Sequence, residues 1–154
     1  MADIYELSMA LDLRDDVSEE EIAELRWHLG LGSRPVGPTI VREFPVVVED
    51  DQGELVTEDD PVPLLGRHEA ALKVGGALTS VLLRREDGWA LTARQEIHPD
   101  DFDRVGELLT WLATKAGDHH GRFDGSVHIG WIRFYETEEP DPLTVRNGGV
   151  AWPC

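Results

Sequence analysis

Cysteine is nearly absent from this chain. Cys154 is the single one and the last residue, so no intramolecular disulfide can form and a cysteine-built zinc site is excluded. Nor does it stand fourth from the end, where a prenylation box needs it. Positive charge is also scarce: 14 Lys+Arg stand against 31 Asp+Glu, a formal net charge of -17. A surface of that sign repels phosphate backbones and anionic headgroups, which argues against nucleic acid and membrane as partners. Lysine occurs only at Lys73 and Lys115, so the other twelve basic residues are arginine. No apolar run approaches the roughly 20 residues needed to cross a bilayer. The opening MADIYELSMALDLRDD has an acid at position 3, no basic n-region and alternating apolar residues. That is the pattern of a first strand rather than a signal peptide, and a cytoplasmic location is the expectation.

Familiar chemical motifs are missing too. There is no G-x-S-x-G elbow and no phosphate-binding loop. His68-Glu69 begins like a zinc-protease helix, but Leu72 stands where the second histidine must be. In Glu49-Asp50-Asp51-Gln52-Gly53 a calcium loop would place Val48 at its first ligand position, which excludes an EF-hand. His119-His120 with Asp118 and Asp124 offers ligand-type groups without the spacing of known metal sites, and reads as a solvated loop. No cofactor is implied.

What is present is a clear succession of elements. With 154 residues, 41% of them hydrophobic, the chain can bury a single core and is expected to form one domain. From Ile4 to Leu13 apolar residues alternate on Tyr5, Leu7, Met9, Leu11 and Leu13, a strand with one greasy face. Ser18-Glu19-Glu20-Glu21 is a capping box. It opens a helix whose Ile22, Leu25, Arg26 and Leu29 fall at helical spacing, with Trp27 and His28 nearer the edges, and which Gly30 stops. Gly76 to Ile97 is a central hairpin turning at Glu86-Asp87-Gly88. His98-Pro99-Asp100-Asp101 starts a second helix carrying Phe102, Val105, Leu108, Leu109, Leu112 and Ala116 on one stripe, ended by Gly117. Ser126 to Tyr135 is a last long strand. Residues 33–75 form an insertion, a hairpin over Thr39–Val48 and Glu54–Thr57 followed by an acidic, Pro-rich loop. In the tail from 137 to 154, Asn147-Gly148 suits a small terminal hairpin.

Without the insertion the order is βαββαβ, the split-βαβ plan. Over roughly residues 4–29 and 76–135 this α+β order resembles the ferredoxin-like superfold and the dimeric α+β barrels built from it. The resemblance implies an antiparallel sheet with both helices on one face. The other face would then carry Glu6, Ser8 and Ala10, then Ser80, Leu82, Ala90, Thr92 and Arg94, and finally His128, Gly130, Ile132 and Phe134. Such a face has too little charge to be left in water, so it is expected to be covered by a second subunit or by residues 33–75. A cavity is expected where Ser8, Ala10, Thr92 and Gly130 leave room.

Glu6, Ser8, Thr92, Arg94 and His128 are the candidate ligand-binding residues. Arg94 can grip a carboxylate, His128 can move a proton near neutral pH, and Glu6 can orient either; the same groups also suit a polar patch at an interface. Three roles follow. The chain is a non-enzymatic module that forms a homodimer through the open face, or a small-molecule binder or enzyme of the α+β-barrel type. In the third it is an acidic, immunity-like inhibitor of a basic protein partner, for which the net charge is the only argument.

Overall fold

The computed structural model describes residues 3–153. In chain order the elements are β1 (Tyr5–Arg14), α1 (Glu19–His28), β2 (Pro45–Glu49), β3 (Leu55–Asp59), β4 (Glu69–Ala70), β5 (Ala77–Arg85), β6 (Gly88–Ile97), α2 (Phe102–Lys115), β7 (Val127–Phe134), β8 (Asp141–Arg146) and β9 (Gly149–Val150). Seven strands form one antiparallel sheet in the order β4-β5-β6-β1-β7-β8-β9, and β2 pairs with β3 as a separate ribbon. The fold is therefore α+β with two α-helices among the described residues, and the sheet is wider than the four strands the sequence suggests. Among the described residues no helix is long and apolar enough to cross a membrane.

Alternation in β1 does what its pattern predicts. Leu7, Met9, Leu11 and Leu13 are at most 3% exposed, and they share one core cluster with Ile22 and Leu25 of α1 and Leu108, Leu109 and Leu112 of α2. Each such side chain contributes about 1.5–3 kcal/mol when fully buried. The capping box forms as read: the Glu21 amide donates to Ser18 Oγ at 3.1 Å, and the Ser18 amide to Glu21 Oε1 at 3.0 Å. Glu21 Oε2 also accepts from Trp111 Nε1 at 2.9 Å, which ties α1 to α2.

The additional sheet width comes from short strands. Leu143 and Val145 of β8 are buried against β7, and the β8–β9 turn at Asn147 (φ 53) and Gly148 (φ 75) is the tight hairpin expected of Asn-Gly. Strand β4 adds two residues at the opposite edge.

The insertion goes elsewhere than predicted. Only its last residues reach one end of the open sheet face, while its apolar residues Val41, Phe44 and Leu65 join the helix-side core. The Leu65 amide donates to the His28 carbonyl and Ser80 Oγ to the Leu65 carbonyl, both at 2.8 Å. This second layer explains a difference in α1. Glu24, Trp27 and His28 are buried, at 1%, 6% and 0% exposure, while Arg26 lies outside, 5.6 Å from the Trp89 ring. Phe44 packs on both Trp27 and His28. The extended start predicted at Thr39 is a loop, because the Glu24 carboxylate captures the amides of Thr39, Ile40 and Val41 at 2.5–3.1 Å.

Two register corrections follow. Leu82 pairs with Leu91 and Ser80 with Ala93, so Ser80 and Leu82 face the helices, and Thr79, Val81 and Leu83 line the open face. In β7 a bulge between His128 and Gly130 adds a residue and inverts the parity beyond it. His128 stays on the open side with Trp131 and Arg133, whereas Ile132 and Phe134 turn inward, away from the open face assigned to them. Gly130 is required there, since a Cβ would collide with the Ser8 carbonyl oxygen.

Candidate functional site: a cleft on the open sheet face

The site begins with the bulge. β1 pairs with β7 only from Tyr5–Phe134 to Ser8–Trp131; beyond that the strands part, and the segment after α2 closes the gap. The Gly117 amide donates to the Asp12 carbonyl at 2.8 Å, and the Asp12 amide donates to His120 Nε2 at 3.1 Å. Between the parted strands lies a cleft of about 320 Å³, lined by Ser8, Ala10, Thr92, Arg94, His120, His128 and Trp131 among others. It lies where Ser8, Ala10, Thr92 and Gly130, the four small residues expected to leave room, come together.

Of the five candidate residues, Ser8, Thr92, Arg94 and His128 line this cleft. Glu6 stands one row away, between Arg94 and Arg133, bonded to the first and 3.0 Å from the second. Arg94 also donates to the carbonyls of Gly75 at 2.7 Å and of Val74 and Ala77 at 3.2 Å. Its fork is engaged in clamping the end of the insertion over the sheet. Glu96 assists by accepting from the amides of Leu72, Lys73 and Val74 at 2.7–3.1 Å. Burial would raise the Glu96 pKa, but those amides and the Arg67 guanidinium outweigh it and hold the carboxyl below its ordinary value. The 71–77 segment thus covers only the Glu6–Glu96 end of the face.

The polar edge of the cleft belongs to histidines. His128 Nε2 is buried and has no hydrogen-bond partner among the described residues, and the His128 ring meets Trp131 edge-on at 5.0 Å. His120 has its pKa lowered, first by burial and then by the neighbouring His119 and His128, with Asp12 opposing. A neutral ring suits its role as acceptor from the Asp12 amide. Asp12, His119 and His120 bring potential metal-ligand atoms within 4.8 Å of one another. Neither Asp118 nor Asp124 joins them; Asp124 is turned to Ser126, accepting from its amide at 2.9 Å and its hydroxyl at 2.6 Å.

The sequence places His120 on a solvated loop and does not assign Trp131 to the open face, yet both line the cleft. A glycine inside an apolar strand was the available signal for the bulge that exposes Trp131. No local signal brings His120 to a strand 108 residues away. No protein-family model, curated protein or solved structure matches this chain.

Proposed function

We propose that the chain is a self-associating binding module whose open sheet face packs against a second copy and closes the cleft over a small ligand. The observation that carries this reading is the contrast between the face and the rest of the surface. On a chain of formal net charge -17, the acids of this face each have an arginine partner: Glu6 with Arg94 and Arg133, Asp12 with Arg85, Glu96 with Arg67. Between them Val81, Leu83 and Trp131 stand 41%, 61% and 43% exposed. An equally acidic copy meets least repulsion, and most apolar surface, here. The order β5-β6-β1-β7 with both helices on the far side also supports reading the core as the ferredoxin-like plan widened by β4, β8 and β9, and such a plan leaves this face free for assembly.

Sedimentation equilibrium tests the assembly. The expected result is a dimer that persists in high salt, because apolar contacts are not screened, and that dissociates in Leu83→Glu but not in Leu55→Glu, a change on the exposed β3 ribbon. A wild-type monomer, or a dimer that Leu83→Glu leaves intact, refutes it. A second reading, in which the cleft serves a ligand without assembly, is favoured by the unpartnered His128 Nε2. It predicts a monomer whose ligand-induced thermal shift is lost in His128→Ala.

A further inference from the structure

We propose that Asp12, His119 and His120 bind a divalent transition-metal ion, of the zinc, cobalt or nickel kind, beside the cleft. Three features point to this. First, the donors already converge: Asp12 Oδ2 and His119 Nε2 are 3.2 Å apart, close to the separation of two ligands on one tetrahedral ion with bonds of roughly 2.0–2.2 Å. The two imidazole rings lie 4.0 Å apart, centroid to centroid. Second, His119 is seated although it is exposed. A Cβ on Gly117 would lie 2.9 Å from His119 Cε1 and 3.0 Å from Nδ1, so the glycine makes the slot in which the ring rests. Third, the carboxylate has an outer partner. Arg85 Nη1 donates to Asp12 Oδ1 at 2.8 Å, which fixes the carboxylate plane and leaves Oδ2 toward the histidines, as groups behind a metal ligand do.

Two imidazoles and one carboxylate form a nitrogen-rich set without thiolate. That chemistry suits zinc and its neighbours rather than the all-oxygen shells of calcium and magnesium. Binding replaces the Asp12–His119 contact with two metal bonds, and exchanges the Asp12 amide's hydrogen bond to His120 for a metal–nitrogen bond. Three protein ligands leave a fourth position for water or a small ligand, and a pocket of about 160 Å³ adjoins Asp12 and His119, lined also by Arg14, Arg85 and Trp89. The proposal does not depend on dimer formation, since every ligand comes from one chain.

The test uses the full chain, stripped with chelator and carrying no polyhistidine tag. Calorimetric titration with zinc ions is expected to saturate at one equivalent. Cobalt ions are expected to give a visible absorption band that zinc displaces. His119→Ala, an exposed change that leaves the core alone, and Asp12→Asn are each expected to weaken binding roughly 10-fold or more, while His68→Ala and Cys154→Ser leave it unchanged. No saturation after several equivalents overturns the proposal. So does binding that survives in the His119→Ala/His120→Ala double variant, or that Cys154→Ser removes.

Discussion

Replacing Glu24 with alanine tests whether a buried carboxylate organises the insertion. Glu24 is 1% exposed. It accepts from the amides of Thr39 at 2.5 Å, Ile40 at 2.9 Å and Val41 at 3.0 Å, and stands 3.3 Å from His28 Nε2. In Glu24→Ala the Val41 amide and the His28 ring are left buried without an acceptor, each costing about 1–3 kcal/mol. The half-buried Thr39 and Ile40 amides recover part of their loss from water. A destabilisation of about 3–5 kcal/mol follows, at least a fifth of the roughly 5–15 kcal/mol typical of a domain. Glu24→Gln keeps one carbonyl oxygen but turns an NH₂ toward donors, so it should fall between. Urea unfolding followed by tryptophan fluorescence reads the total, and hydrogen exchange of residues 39–44 shows whether the loss is local. If Glu24→Ala costs less than about 1 kcal/mol and the amides at 39–41 keep their protection, the carboxylate is not the anchor.

Two further outcomes follow from the same geometry. Gly130→Ala drives a Cβ into the Ser8 carbonyl and to 3.0 Å from Met9 Cγ, so it should cost about 1–3 kcal/mol or more. Gly148→Ala has open space and only an unfavourable φ to bear, so its Tm should fall less; the reverse order would contradict the bulge. His28 is fully buried, and burial lowers its pKa despite the opposing pull of Glu24. The unfolded chain therefore takes up a proton near pH 6.5 that the folded one refuses. Stability should be full above about pH 6.5 and decline as the pH falls from there through the lower folded pKa. The wild-type-minus-His28→Gln difference in urea midpoint should carry that slope, and a flat difference would refute it.

Features written in local periodicity or turn chemistry were legible: the alternation of β1, the Ser18 box, the hairpin turn before Gly88, the stripe of α2 and the Asn147-Gly148 turn. Features decided by tertiary contact were not. In β5 both parities are apolar, with Leu78 and Leu82 on one and Val81 and Leu83 on the other, so only pairing with Leu91 fixes which side is buried. Glu24 and His28 look solvent-facing until the insertion closes over them. β8 carries two turn-forming residues, Asp141 and Pro142, in six, which hid the alternation of Leu143 and Val145. The cleft's small residues were visible, but its histidine edge depends on β1 and β7 parting at a bulge.

The scarcity of lysine, which the sequence leaves without a role, acquires one in the sheet. Arg94 reaches one carboxylate and three carbonyls at once. Arg133 joins Glu6 to the carbonyls of Tyr135 and Thr137, and Arg14 joins β1 to the carbonyls of Thr114 and Ala116 at the end of α2. Each ties its own strand to a neighbouring segment through several donors held in one plane. An ammonium, a compact and strongly hydrated charge on a flexible stem, cannot span such sets. Arg133→Lys keeps the charge and the Glu6 contact within reach but gives up the fork. The open face should therefore tolerate loss of its net charge better than loss of this geometry.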